Sequence, residues 1–129
     1  MIKTLVVDDE LDVTQLYLQK FRKEIKNGEL KFDFAHNGQQ ALEYIRTLKP
    51  FDLVVVLSDI NMPQMTGLEL LQAIKKERPT LNVIMISAYG DMTNKSKAVE
   101  YGASDFLTKP VDFTALKEKI MKAHNEINN

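Results

Sequence analysis

The chain has no cysteine. That excludes disulfides, cysteine zinc sites, iron–sulfur clusters and a thiol nucleophile together. Its two histidines, His36 and His124, stand too far apart for a local zinc motif. Long apolar runs are also missing. The longest, Leu53–Leu57, falls far short of the roughly 20 residues that cross a bilayer. The N-terminal apolar stretch ends at Val7 and runs straight into Asp8-Asp9, which does not suit a signal peptide. No sign of charge dominates either. Against 18 Asp and Glu stand 17 Lys and Arg, a formal net charge of −1. A dedicated nucleic-acid binder would be strongly basic, and an acidic disordered tail would be far from neutral. The expectation is a soluble cytoplasmic protein that contacts neither nucleic acid nor membrane. What is present is 129 residues, 44% hydrophobic and 27% charged. That is enough to bury a core without staples, and we expect one domain over residues 1–129.

Short apolar runs alternate with amphipathic helical patterns. The runs are Leu5–Val7, Leu30–His36, Leu53–Leu57, Val83–Ile86 and Ala103–Thr108. Such βαβα alternation predicts an α/β domain with a parallel sheet. Leu5-Val6-Val7, Leu53–Leu57 and Val83–Ile86 are continuously apolar, as strands covered on both faces are. Leu30-Lys31-Phe32-Asp33-Phe34 alternates, which marks an edge. The mixed Ala103–Thr108 run suits the other edge. A doubly wound, flavodoxin-like (βα)5 fold with strand order 2-1-3-4-5 satisfies this pattern. Leu11, Leu16, Leu18, Phe21 and Ile25 predict a first helix ending near Gly28. Ala41, Leu42, Ile45 and Leu48 mark a second, closed by Pro50. Thr66 and Glu69 have capping-box spacing for a third, which stops before Pro79. Asp91 and Asp112 are N-caps for the fourth and fifth, and Gly102 ends the fourth. Phe113, Leu116, Ile120, Ala123 and Ile127 form the buried stripe of the fifth.

Open parallel sheets bind ligands beyond the carboxyl ends of their strands. There the chain carries Asp8-Asp9-Glu10 after the first strand, Ser58-Asp59-Ile60-Asn61 after the third, Ser87 after the fourth and Lys109 after the fifth. Taken singly, each residue has an ordinary role as cap, turn former or surface group. Together they crowd carboxylates, which is unfavourable unless a cation relieves the repulsion. A hard divalent cation with oxygen ligands does so. A carboxylate can also serve as a nucleophile and form an aspartyl-phosphate, with a lysine and a hydroxyl to receive phosphoryl oxygens.

These residues resemble the receiver domain of bacterial two-component response regulators, including the stand-alone chemotaxis type. The likeness rests on Leu5-Val6-Val7-Asp8-Asp9-Glu10, Asn37-Gly38 with Ala41-Leu42, Ser58-Asp59-Ile60-Asn61-Met62-Pro63 with Met65-Thr66-Gly67, Ile86-Ser87-Ala88-Tyr89-Gly90, and Gly102-Ala103 with Phe106-Leu107-Thr108-Lys109-Pro110. It implies that Asp59 accepts a phosphoryl group from a histidine kinase or histidine phosphotransfer protein. It implies Mg²⁺, with Mn²⁺ as a substitute, held by Asp9, Asp59 and the backbone carbonyl of Asn61, with Asp8 acting through a water. Ser87 and Lys109 would contact the phosphoryl oxygens, and Phe106 would swing inward as Ser87 moves. The surface of the fourth helix, fifth strand and fifth helix would carry the signal to a protein target or to an output domain absent from this sequence. The switch would act as a monomer or a phosphorylation-linked dimer, and a cis Lys109–Pro110 bond is implied.

Two departures stand out. The Asp52–Asp59 segment exceeds the family pattern by about two residues, an even step that preserves facing because strand side chains repeat every two residues. Thr66 replaces the usual acid or Asn before Gly67 and remains a good cap. Competing readings use similar parts. A Mg²⁺-dependent phosphatase with an aspartate nucleophile wants a general acid two residues on, where this chain has Asn61. A flavodoxin-like electron carrier wants a hydroxyl-rich loop where this chain has acids. A scaffold that is never phosphorylated would not need all five of Asp8, Asp9, Asp59, Ser87 and Lys109.

Overall fold

The computed structural model describes residues 2–49, 52, 55–88 and 91–128, with side chains up to residue 125. Five strands form one sheet: β1 (Ile2–Val7), β2 (Leu30–Ala35), β3 (Val55–Asp59), β4 (Asn82–Ser87) and β5 (Asp105–Thr108). All neighbours pair in parallel, in the order β2-β1-β3-β4-β5. The continuously apolar runs became the three central strands, and the alternating run became an edge. Leu30 and Phe32 are buried there while Lys31 is exposed. Leu53 and Val54, expected to open the third strand, lie outside the described residues, as do Pro50, Tyr89 and Gly90. Asp59 and Ser87 were expected just past their strands. They are instead the last residues of β3 and β4, because their backbones continue the ladder to the sheet's edge.

The register of β3 is unbroken on both sides, from Thr4 opposite Val55 to Val7 opposite Ser58, and from Val55 opposite Asn82 to Asp59 opposite Ile86. No bulge therefore re-aims Asp59 within Val55–Asp59. Alternation then sorts β3 between two layers. Val56 joins Leu5, Val7, Leu70, Leu71, Ile74, Val83 and Met85 in one core. Val55 and Leu57 join Val6, Ile84, Ile86, Leu116, Ile120 and the ring cluster of Tyr17, Phe21 and Phe32 in the other.

Among the described residues, six helices cover the two faces: α1 (Asp12–Lys20), α2 (Arg22–Lys26), α3 (Gly38–Thr47), α4 (Gly67–Glu77), α5 (Met92–Glu100) and α6 (Phe113–Asn128). The predicted first helix is thus two. Phe21, at φ −107° and ψ 20°, leaves helical geometry between them, although its amide still bonds Tyr17 and its carbonyl still accepts from Ile25. The buried stripe also differs from expectation. Leu11, Leu16 and Leu18 are exposed. Phe21 is buried and Ile25 half-buried as expected, but their partners are the buried Tyr17 and half-buried Val13, an i, i+4 series that faces the aromatic cluster. Gly28 and Gly102 end α2 and α5 with φ of +75° and +95°, a conformation glycine adopts without a Cβ penalty. Asn37 caps α3 by accepting from the Gln40 amide, and Thr66 and Glu69 form the expected capping box. Asp91 accepts from Asn94, and Asp112 from Thr114 and Ala115. The predicted fourth and fifth helices are therefore α5 and α6. The side chain of Ile127 lies outside the described ones. Among the described residues, no helix is long and apolar enough to cross a membrane.

Candidate functional site

The chain runs from β1 outward to β2 and then returns to β3 on β1's other side. That reversal opens a crevice at the carboxyl edge, between the loops that leave β1 and β3. Asp8 and Asp9 follow β1, and Asp59 closes β3. One carboxylate oxygen from each lies within 4.8 Å of the others. Asp8 is half-buried, Asp9 exposed and Asp59 buried. From the far edge, Lys109 follows β5 and its Nζ donates to Asp59 Oδ2 at 3.2 Å. The other oxygen, Asp59 Oδ1, is buried with no hydrogen-bond partner among the described residues.

Local backbone bonds fix these positions. The Asp8 amide donates to Ala35, the Ile60 amide to Ile86 and the Lys109 amide to Ser87, at 3.1, 3.0 and 2.7 Å. Each ties a site residue or its neighbour to the adjacent strand. The Lys109–Pro110 bond is cis. The loop after β3 returns at Gly67, whose amide donates to the Ile60 carbonyl at 2.8 Å. A Cβ at Gly67 would stand 2.1 Å from the Asp59 carbonyl oxygen. Close approach of helix and strand therefore requires glycine here. Asn61 lies exposed in this loop.

The electrostatics follow from burial and crowding. Burial pushes the Asp8 carboxyl up and the charge of Asp59 adds to this, while the Glu10 amide, donating at 2.9 Å, pulls the other way. For Lys109, burial works against the charged form, yet Asp59 outweighs it and holds the ammonium above its ordinary value. Burial pushes the Tyr17 hydroxyl up, with Asp8 and Asp59 adding to it. A concentration of negative charge with a single bonded cation is suited to a hard divalent ion. The gathered carboxylate oxygens of Asp8, Asp9 and Asp59 fit such an ion, whose preferred donors are oxygens.

Of the residues singled out in the sequence, Asp8, Asp9, Asp59 and Lys109 are brought together. Ser87 is wholly buried at the end of β4, and its hydroxyl reaches the carboxylate of Asp91 at 3.5 Å. Phe106, half-buried on β5, packs against the core under α5, and Lys95 sits over its ring at 5.8 Å. Asp91 was legible only as a cap, and Lys95 left no signal. Its contact is with a residue on another element, and an exposed lysine on a polar helix is ordinary.

A 2-1-3-4-5 parallel sheet with acids at its switch point and a lysine reaching them from the last strand defines the receiver class of α/β domains. The chain belongs to the response regulator receiver domain family, whose model matches residues 4–121. It is 41% identical over 123 residues to the response regulator protein PilR of Pseudomonas aeruginosa, covering 94% of this chain and 26% of that protein. It is 37% identical over 122 residues to the transcriptional regulatory protein ZraR of Klebsiella oxytoca, covering 95% and 26%. The chain thus spans about a quarter of the length of these curated relatives. Among solved structures it is similar to the Francisella response regulator 1452 receiver domain, with a TM-score of 0.84, 29% identity and coverage of 98% and 99%. It is also similar to the response regulator TrrA of Thermotoga maritima, solved with Mg²⁺ and BeF, at a TM-score of 0.80, 29% identity and coverage of 95% and 99%. Receiver domains of response regulators are phosphorylation-dependent signalling modules that receive phosphoryl groups from histidine kinases.

Proposed function

We propose that residues 1–129 act as a Mg²⁺-dependent phosphoryl switch in the cytoplasm, with Asp59 as the acceptor. The observation that carries this is the divided state of the Asp59 carboxylate. Oδ2 is held by Lys109, while Oδ1 is buried with no partner among the described residues. A desolvated, oriented and unbonded oxygen is what an in-line nucleophile needs. It attacks the phosphorus of a phosphohistidine on a kinase or phosphotransfer protein. The new P–O bond forms as the P–N bond breaks, and the imidazole leaves with the electron pair. Water later attacks the same phosphorus and releases inorganic phosphate, restoring the carboxylate.

Asp8, Asp9, Asp59 and the backbone carbonyl of Asn61 would hold Mg²⁺, or Mn²⁺ in its place. The ion supplies neutralisation of the charge on the transferring group. Lys109 keeps Asp59 in place before transfer and accompanies a phosphoryl oxygen after it. Ser87 donates its hydroxyl to another, and Phe106 follows inward. The altered surface of α5, β5 and α6 is then read by a protein target or an output domain. Phosphorylation biases an equilibrium that exists without it.

The test is incubation with acetyl phosphate and Mg²⁺. The wild type should gain acid-stable, hydroxylamine-labile phosphate, and Asp59→Asn or removal of Mg²⁺ with a chelator should abolish it. A wild type that gains none, or an Asp59→Asn variant labelled equally, overturns the reading.

A further inference from the structure

α5 touches both residues that the proposed switch has to move. Its N-cap, Asp91, has one carboxylate oxygen on the Asn94 amide at 3.3 Å. The other oxygen accepts from the Asn94 side chain and, at 3.5 Å, from the Ser87 hydroxyl. One turn further on, the Lys95 amide donates to the Asp91 carbonyl at 3.2 Å, and its ammonium lies 5.8 Å from the centroid of Phe106. A single helical turn therefore holds a hydroxyl at the end of β4 and a ring on β5.

We infer that Asp91 and Lys95 form a latch that holds Ser87 and Phe106 in the resting state and so sets how readily the domain switches. Both are positioning residues, and the inference rests on the phosphoacceptor reading of Asp59. A serine hydroxyl has one proton to donate. Here the Asp91 carboxylate and the Ala88 carbonyl both stand 3.5 Å from it, and turned toward either it is withheld from a phosphoryl group on Asp59. Given to the phosphoryl group, it leaves Asp91. The ring has the same choice, since inward movement takes it away from the Lys95 ammonium. Both contacts therefore belong to one state only, which is the condition for a contact to bias a two-state equilibrium. Both are also weak. The Ser87–Asp91 distance is at the outer limit of a hydrogen bond, and Lys95 is exposed, where a cation–π contact is modest. A resting bias made of weak contacts can be overcome by one phosphoryl group. Within α5 only Ala98 is buried, so the helix can adjust without breaking a core.

The experiment is a titration of the full chain with beryllium fluoride in Mg²⁺, followed by the ring NMR signals of Phe106. Lys95→Gln removes the cation and Lys95→Arg keeps it. Asp91→Asn keeps an N-cap oxygen but removes the second carboxylate oxygen facing Ser87. If the resting state dominates, weakening it tightens the apparent affinity by the worth of the lost contact. We expect Lys95→Gln to bind beryllium fluoride about two- to five-fold more tightly, the range of an exposed cation–π contact. Its unliganded Phe106 signals should move toward their bound positions. Lys95→Arg should restore wild-type behaviour, and Asp91→Asn should shift both readouts in the same direction as Lys95→Gln. A merely structural role would loosen binding rather than tighten it. Wild-type affinity and signals in both Lys95→Gln and Asp91→Asn, or weaker binding in either, would overturn the latch alone. A wild type whose Phe106 signals ignore beryllium fluoride would overturn the phosphoacceptor reading and the latch with it.

Discussion

A methyl group on Gly67 would meet the Asp59 carbonyl oxygen at 2.1 Å and the Ile60 Cα at 2.7 Å. Both are backbone atoms of β3 and the loop that follows, so neither can swing aside. Gly67→Ala must displace α4 or the end of β3. Overpacking of this kind costs about 1–3 kcal/mol. We expect urea unfolding to show that loss, together with slower labelling of Asp59 by acetyl phosphate. Gly28→Ala is the contrast. Nothing lies within 4 Å of its Cβ position, and only its φ of +75° resists. That change should cost about 1 kcal/mol and leave labelling at the wild-type rate. Equal labelling losses in both variants would refute the argument. The difference explains which site residues the sequence disclosed. Asp8, Asp9, Asp59 and Lys109 were legible because alternation located the strand ends, and strand ends of a parallel sheet converge. Gly67 was legible only as part of a family motif, because its reason is a distance to a residue on another element. Lys95 was not legible at all, for the same reason.

Among the elements, β5 and α6 are joined by a charged pair, Lys119 Nζ to Asp105 Oδ2 at 2.8 Å. Burial works to raise the Asp105 carboxyl, but the bonds from Lys119 and the Phe106 amide outweigh it and hold it below its ordinary value. A carboxyl depressed in the folded state adds stability above its unfolded pKa of about 3.9. That stability is lost as pH falls through the lower folded value. Asp105→Asn should therefore lower stability at pH 7 by no more than about 1 kcal/mol, as the pair is partly exposed. The gap to wild type should close as pH falls through that lower folded value. A gap that persists unchanged in acid would mean the loss is one of packing. The helix starts capped by Thr66, Asp91 and Asp112 were legible, whereas the Asn37 cap of α3 was not. The break at Phe21 was not, because its cause is tertiary. The rings of Tyr17, Phe21, Phe32 and Phe113 pack with centroids 5.1 to 6.2 Å apart, and that cluster selects which face of the first helix is buried. Read alone, the leucines at 11, 16 and 18 looked like the better stripe.

At the scale of the whole molecule, a net charge of −1 conceals a strongly acidic pole at one edge of the sheet. Three carboxylates there share a space 4.8 Å across, and Lys109 bonds only one of them. Like charges at such separations repel by on the order of 1 kcal/mol even in water, so the fold carries a cost that a divalent cation would remove. Two consequences follow, and they have opposite signs. An ion that binds only the folded state stabilises it by RT ln(1 + [L]/Kd), about 2.7 kcal/mol at a hundred times Kd. The melting temperature of the wild type should therefore rise by several degrees as Mg²⁺ is added, beyond the effect of NaCl at equal ionic strength. Asp9→Asn removes one exposed carboxylate from the cluster. Without Mg²⁺ it should melt higher than the wild type, because repulsion is relieved, and adding Mg²⁺ should raise it far less. The order of the two proteins then inverts as the ion is titrated. That inversion distinguishes a cation site from a surface patch of acids, which ordinary salt would stabilise as well as Mg²⁺ does. If Asp9→Asn melts at or below the wild type in the absence of the ion, the acidic pole is not a source of strain.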